Sequence, residues 1–147
     1  MEEVRGLTRY GEVPIRLYLP QDTGRSPLII FYHGGGFVLG DIQSYDHLAS
    51  AIAEASSCVV ALVVYQLAPK AKSPALIEES YEALTWLSGQ DPNRWDFNPN
   101  AVGVAGDSAG GSLAAVIAQV VRQRRDRAKM GSFVQKRWNL KGLGCND

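Results

Sequence analysis

A serine flanked by small residues lies in the stretch VAGDSAGG, residues 104–111. Gly106, Ser108 and Gly110 fit the pattern G-x-S-x-G, in which a sharp turn between a strand and a helix presents a serine hydroxyl as a nucleophile. Such a hydroxyl reacts only when a neighbouring base takes its proton, and that base is usually a histidine held by a carboxylate. An alternative interpretation is a glycine-rich turn that holds a phosphate at a helix N-terminus.

A second glycine-rich stretch, HGGGFVLG, covers residues 33–40 and follows an apolar run directly. Acyl transfer needs backbone N–H groups aimed at the oxygen that gains charge in the tetrahedral intermediate. Glycines let the backbone approach a ligand closely, and HGGG-type loops supply part of this oxyanion hole in lipases and esterases. Because both loops are expected to follow strands, together they favour an acyl-transfer site over a phosphate turn.

These loops must be positioned by strands and helices that the apolar pattern predicts. Strands are expected over residues 13–20, 27–33, 58–65 and 101–106, of which the second and third are continuous apolar runs typical of strands buried on both faces. Helices are expected over 44–57, from Pro74 onward and over 109–127. This alternation predicts an α/β fold, with a mainly parallel sheet and helices on both of its faces.

Two local details of this prediction can be tested separately. The helix over 44–57 is expected to begin with Ser44 as its N-cap and to bury a stripe formed by Leu48, Ile52 and Ala55. The segment 90–100 is rich in Asp, Asn and Pro and is predicted to be a loop.

The composition excludes several classes of protein. The 147 residues suffice for about one domain, and the formal net charge of zero gives no electrostatic reason to expect nucleic acid as a partner. The two cysteines do not form a disulfide framework, and Cys58 reads as a small buried residue. No stretch is apolar enough to cross a bilayer, so a cytoplasmic protein without metal or cofactor is expected.

Three motifs taken together point to a known family. HGGG at 33–36, Tyr-Gln-Leu-Ala-Pro at 65–69 and GDSAGG at 106–111 resemble the hormone-sensitive-lipase group of α/β-hydrolases, in particular its bacterial acetyl-esterase-type members. The resemblance implies a serine carboxylesterase whose substrate is a small-molecule acyl ester with a short acyl chain. It also implies that Ser108 is the nucleophile and that the N–H groups of Gly34, Gly35 and Ala109 form the oxyanion hole.

The sequence departs from that family in two ways. Val64, Gln66 and Lys70 stand in and around the Tyr-x-Leu-Ala-Pro motif where the family commonly has an acidic or hydroxyl residue, an arginine and a glutamate. The family's triad aspartate and histidine come from later strands, which this sequence does not contain. We therefore expect a partial α/β-hydrolase, with residues 1–128 as its N-terminal half and 129–147 as an irregular tail. Such a chain is expected to be inactive alone and to self-associate through its incomplete sheet.

The residues themselves do not supply an obvious base. No histidine follows Ser108, His33 is expected to shape the glycine loop, and His47 falls on a predicted helix surface. Asp126 lies on the same predicted helix as Ser108, about 27 Å away at 1.5 Å per residue. Two alternatives therefore stay open. One is a non-catalytic ligand-binding protein on the same fold, like the plant gibberellin receptors, and the other is a half-domain that another chain completes.

Overall fold

The computed structural model of the protein describes residues 1–21 and 24–124. The elements in chain order are β1 (Glu2–Thr8), β2 (Gly11–Tyr18), β3 (Ser26–Tyr32), α1 (Ile42–Ser56), β4 (Val59–Val63), α2 (Ala75–Ser88), β5 (Phe97–Gly106) and α3 (Ala109–Gln123), with a short 3-10 turn at Pro92–Arg94 between α2 and β5. The expected tail over 129–147, the boundary at 128 and Asp126 lie outside the described residues.

The five strands form one mixed sheet in the order β1-β2-β4-β3-β5. β3 pairs in parallel with both β4 and β5, which confirms the parallel arrangement expected for these three strands. β2 runs antiparallel to β4, and β1 runs antiparallel to β2, so the first two strands add a hairpin to the parallel part. The sequence pattern missed β1 because three of its seven residues are charged and no apolar run marks it.

The side chains of the parallel strands alternate between two apolar layers, as successive residues of a strand must. On one face of β3, Leu28, Ile30 and Tyr32 belong to a buried cluster that α2 and α3 complete. On the other face, Ile29 and Phe31 pack with Ala49 and Ala53 of α1. Helices therefore cover both faces of the sheet, as the sequence predicted. None of the helices within the described residues is long and apolar enough to span a bilayer.

The expected start of α1 was wrong by three residues. Asp41 is the N-cap, and its carboxylate accepts hydrogen bonds from the backbone N–H and the hydroxyl of Ser44, both at 2.7 Å. Of the expected buried stripe, Ile52 does pack against the core, but Leu48 is 42% exposed and Ala55 is also exposed. The buried residues of α1 are instead Ala49 and Ala53, which face the sheet. Small residues allow the helix to lie close to the strands, and hydropathy alone did not identify them.

The expected loop over 90–100 was wrong at its second half, because β5 already begins at Phe97. Phe97 is fully buried and pairs with Ser26, and Asn98 pairs with Pro27. The partner of Leu28 is then Val102, so the register shifts and residues 99–101 form a bulge. Bulges accommodate residues such as proline in a strand, which explains why a segment rich in Pro and Asn still belongs to the sheet.

Candidate active site

Ser108 lies between β5 and α3 in a strained backbone conformation. It is the N-cap residue of α3 with φ 49° and ψ −115°, and its side chain makes no capping hydrogen bond. A non-glycine residue held in such a region costs about 1–3 kcal/mol and persists only where the surrounding structure imposes it. The residue is exposed at the end of the sheet. The strain and exposure expected for a nucleophile turn are therefore both present.

The glycine loop and the serine turn lie side by side. Tyr32 pairs with Gly106 at the last rung of β3 and β5, and the backbone N–H of Asp107 donates to the carbonyl of Tyr32 at 3.3 Å. A Cβ at Gly34 would lie 2.8 Å from Oδ2 of Asp107. A Cβ at Gly110 would collide with the carbonyl oxygen of Tyr32. Glycine is therefore required at position 110 for the two loops to meet at the carboxyl edge of the parallel strands, and Gly34 leaves room for the side chains of Asp107 and Tyr45.

Tyr45 of α1 connects the two loops through its hydroxyl. The hydroxyl donates to Oδ2 of Asp107 at 3.0 Å, next to the position that a Cβ of Gly34 would occupy. Burial and the hydrogen bond to Asp107 raise the pKa of Tyr45, and the N–H of Gly34 acts in the opposite direction. The sequence analysis missed this residue because 62 positions separate it from Asp107 and no motif links them.

The family resemblance predicts that three backbone N–H groups at this edge, those of Gly34, Gly35 and Ala109, form the oxyanion hole. Within the described residues none of the three donates to a backbone carbonyl outside the regular elements. The neighbouring amides of α3 are occupied, because Gly110 donates to the carbonyl of Asp107 and Ser112 donates to that of Ser108. The first turn of α3 also contributes the partial positive charge of a helix N-terminus.

His33 is a structural part of the glycine loop. It is fully buried, and its Nδ1 lies 2.7 Å from the carbonyl oxygen of Gly34. Because a carbonyl only accepts, Nδ1 carries the proton, and Nε2 has no hydrogen-bond partner among the described residues. Burial lowers the pKa of His33, against the effects of the Gly34 carbonyl and of Asp41. Neither ring nitrogen therefore forms a hydrogen bond with Ser108.

The ring of His33 is fixed from the other side by Tyr65. The two rings stack with their centroids 4.3 Å apart and an interplanar angle of 6°, and the Tyr65 hydroxyl donates to the carbonyl of His33 at 2.6 Å. Burial raises the pKa of Tyr65 to about 12, so the hydroxyl stays protonated as this bond requires. His47, the other histidine, is exposed on α1.

The turn after Tyr65 contains a second contact that sequence reasoning missed. The backbone N–H of Gln66 donates to Oε2 of Glu79 at 2.7 Å, and the Gln66 side chain donates to the carbonyl of Tyr10. Glu79 is buried, and its Oε1 has no hydrogen-bond partner among the described residues. Gln66 stands where the family that the sequence resembles commonly has arginine. No cation at this position therefore neutralises the carboxylate of Glu79.

Within residues 1–21 and 24–124, no group of three or more His, Cys, Asp or Glu side chains is arranged to hold a metal ion.

Comparison with known proteins connects this geometry to a family. A family model described as alpha/beta hydrolase fold matches residues 29–136. The chain is 40% identical over 114 residues to the carboxylic ester hydrolase LipN of Mycobacterium tuberculosis, covering 78% of the chain and 30% of that protein. It is 37% identical over 120 residues to an acetyl esterase of Salmonella schwarzengrund, covering 82% of the chain and 36% of the relative.

The chain is also similar to solved structures of esterases. A hyperthermophilic esterase from the archaeon Pyrobaculum calidifontis superposes with a TM-score of 0.81 and 41% sequence identity, covering 90% of this chain and 41% of that one. The chain thus spans about a third of the length of the curated relatives it matches.

Proposed function

Because the chain belongs to the α/β-hydrolase fold family, and within it to the hormone-sensitive-lipase group of carboxylesterase-type hydrolases, we propose that it carries the nucleophile and the oxyanion hole of a carboxylic-ester hydrolase. The substrate is a small-molecule acyl ester. Ser108 is the nucleophile, and the N–H groups of Gly34, Gly35 and Ala109 receive the oxyanion. The observation that carries this proposal is the strained, exposed backbone of Ser108 directly beside the glycine loop.

The proposed reaction follows from that arrangement. Oγ of Ser108 attacks the carbonyl carbon of the ester, the electron pair of the C=O bond moves to oxygen, and the hydroxyl proton goes to a base. The N–H groups stabilise the resulting oxyanion in the transition state more than the neutral carbonyl, which is what accelerates the step. When the intermediate collapses, the bond to the alcohol oxygen breaks, that oxygen takes a proton, and the acyl group remains on Ser108 until water removes it.

The base is the part that the described histidines do not provide. His33 is buried, with Nδ1 bound to the Gly34 carbonyl, and His47 lies exposed on α1. Losing the histidine and aspartate of a triad leaves only the residual catalysis that comes from oxyanion binding. We therefore propose that the 147-residue chain alone turns over esters negligibly, although Ser108 remains positioned to react.

The test separates the nucleophile from the missing base. The chain is incubated with an alkyl fluorophosphonate, with and without added imidazole, and the adduct is followed by intact mass and peptide mapping. We expect slow labelling of Ser108 alone and a several-fold faster reaction when imidazole supplies a base. Ser108→Ala should abolish the adduct, whereas Ser112→Ala, one turn along α3, should retain it.

Two results would contradict the proposal. Labelling that persists in Ser108→Ala would remove Ser108 as the nucleophile. Rapid turnover of p-nitrophenyl butyrate by the chain alone, lost in Ser108→Ala, would show that a base is present after all and would point to His33 or to a second copy of the chain.

A second candidate function, non-catalytic ligand binding on the same fold, rests on the same placement of the two histidines. It differs in one measurable respect. A binding protein would hold its ligand without any covalent reaction at Ser108, so a chain that binds esters but resists the fluorophosphonate even with imidazole would favour this alternative.

A further inference from the structure

Tyr45 of α1 occupies the gap between the glycine loop and the serine turn. Its hydroxyl donates to Oδ2 of Asp107 at 3.0 Å, and a Cβ at Gly34 would lie 2.6 Å from the same hydroxyl oxygen. The centroid of its ring lies 6.3 Å from that of Phe31 and 5.6 Å from that of His33. The end of β3 and the start of the glycine loop therefore fix the ring whose hydroxyl reaches the serine turn.

The backbone of Asp107 is fixed on both sides, whereas its carboxylate has a single partner. The N–H of Asp107 donates to the carbonyl of Tyr32 at 3.3 Å, and its own carbonyl accepts the N–H of Gly110 at 2.8 Å. In the described part of the chain, the Tyr45 hydroxyl is the one hydrogen-bond partner of the carboxylate. Because Asp107 is exposed, Tyr45 is the group that sets the direction of this charge.

That direction is toward one particular face of the sheet. Tyr45 packs in the apolar layer that contains Ala49 of α1, whereas Leu113 of α3 belongs to the layer on the opposite face. Ser108 is the N-cap residue of α3. The hydrogen bond therefore draws the carboxylate of Asp107 toward α1, while the serine that follows it opens the helix on the other side.

The direction of this charge matters for the proposed reaction. Attack by Ser108 places a negative charge on an oxygen beside the glycine loop, and Oδ2 of Asp107 lies 2.8 Å from the position that a Cβ of Gly34 would occupy. Like charges repel more strongly where protein replaces part of the surrounding water. Burial and the bond to Asp107 raise the pKa of Tyr45, so the hydroxyl stays protonated and donates at neutral pH.

We propose that Tyr45 is a positioning residue for the ester hydrolysis, and that it holds the Asp107 carboxylate on the α1 side of the sheet, away from the oxyanion that forms when Ser108 attacks. Tyr45 acts through Asp107 and contacts neither the substrate nor the reacting atoms. This inference rests on the proposed role of Ser108 as the nucleophile.

The experiment measures the labelling of the 147-residue chain by an alkyl fluorophosphonate at a fixed concentration of imidazole. Oγ of Ser108 bonds to phosphorus, fluoride leaves, imidazole takes the hydroxyl proton, and the phosphoryl oxygen gains charge in the transition state as the ester oxygen would. Rates over a range of fluorophosphonate concentrations give a limiting rate and a half-saturating concentration. We expect Tyr45→Phe to lower the limiting rate about tenfold and to leave the half-saturating concentration unchanged, because the displaced carboxylate opposes only the charged transition state.

Two further readouts separate this electrostatic role from loosened packing. Raising the salt concentration from about 0.05 M to about 0.5 M should recover most of the lost rate in Tyr45→Phe, because salt screens the carboxylate, and should change the parent rate little. Asp107→Asn keeps an oxygen that accepts from Tyr45 and removes the charge. In that background, Tyr45→Phe should slow labelling less than about twofold, since the two residues act as a unit.

Tyr18→Phe is the matched control. The hydroxyl of Tyr18 donates to Oδ1 of Asp46 at 2.8 Å, so this substitution removes a phenol–carboxylate hydrogen bond from the same helix without touching the serine turn. We expect its limiting rate to equal that of the parent. Urea unfolding of both variants verifies that each remains folded under the labelling conditions.

Equal limiting rates in the parent and in Tyr45→Phe would overturn the proposal, as would an equal loss of rate in Tyr18→Phe. A loss in Tyr45→Phe that neither salt nor Asp107→Asn alters would also overturn it, because it would assign Tyr45 to packing alone. A parent chain that is not labelled at Ser108 overturns the proposed function and this inference with it, whereas a labelled parent with an unchanged variant overturns this inference alone.

Discussion

Glu79 is buried beside the turn that follows Tyr65, with one carboxylate oxygen bound to the Gln66 amide and the other without a partner in the described part of the chain. Burial raises the pKa of Glu79, while the Gln66 N–H and the charge of Lys70 act against it and the charge of Glu82 adds to it. Burying such a group lowers the stability of the folded state, because an ionised carboxylate loses its hydration when it is buried.

This raised pKa makes stability depend on pH in a defined direction. The folded state binds the Glu79 proton more tightly than the unfolded state does. The protonated carboxyl therefore contributes to the free energy of unfolding. That contribution is complete below the unfolded pKa near 4.5 and is lost as pH rises through the folded pKa. Glu79→Gln should remove that dependence, and should leave the protein about as stable as or more stable than the parent at neutral pH.

Urea unfolding at pH 4.5 and pH 7.5 measures this effect. The control is Glu54→Gln, an exposed position on α1, which should retain the pH dependence of the parent chain. An equal loss of stability on raising pH in the parent and in Glu79→Gln would show that the carboxylate is not its source.

At the scale of elements, the first turn of α3 rests directly on the end of β3. Gly110 has no room for a Cβ against the carbonyl oxygens of Tyr32 and His33, whereas a Cβ at Gly111 would lie 3.1 Å from the carbonyl oxygen of Gly106. Gly110→Ala should therefore push the helix away from the strand and lower the free energy of unfolding by about 1–3 kcal/mol. Denaturant unfolding checks this value.

Gly111→Ala is the matched control for that change. It adds the same methyl group one residue later, meets a milder contact, and gains helix propensity, so its effect should stay within about 1 kcal/mol of the parent. If both substitutions had the same small effect, the close packing of α3 on β3 would not be what holds the serine turn beside the glycine loop.

The elements that the sequence predicted correctly are those whose own residues define them. β3 and β4 are continuous apolar runs, and the serine turn carries its motif within eight residues. The elements that it missed depend on partners far along the chain. β1 is stabilised by pairing with β2 despite its charges.

The same distinction holds in the candidate site. The strained Ser108 and the glycine loop were expected from local motifs. The hydrogen bond of Tyr45 to Asp107 and that of Gln66 to Glu79 arise only when α1 and α2 pack against the sheet. No period or spacing in the sequence encodes such contacts.

At the scale of the whole molecule, β5 and β1 are the two edges of the sheet in the part of the chain that the structure describes. An exposed edge offers unpaired N–H and C=O groups to another chain, and a lysine placed there opposes such pairing. We expect the 147-residue chain to self-associate through β5, and Ala101→Lys, in the bulge of β5, to shift it toward monomer.

Sedimentation velocity over a range of concentrations measures the association. Leu7→Lys places the same charge on β1, where Leu7 is 64% exposed, and should leave the association largely unchanged. A parent chain that sediments as a monomer at all concentrations, or equal effects of the two lysines, would contradict a specific role for the β5 edge.

The bulge at residues 99–101 divides β5 into two parts with different tolerance to changes in length. Before Val102 the strand already contains residues that pair with no residue of β3. A residue gained or lost there therefore changes only the size of the bulge. Between Val102 and Gly106 every residue has a fixed partner on β3. One residue inserted there would advance Ser108 by about 3.3 Å and reverse which side of the sheet each following residue faces. Insertions and deletions among related chains should therefore collect before Val102, and the spacing from Val102 to Ser108 should stay constant.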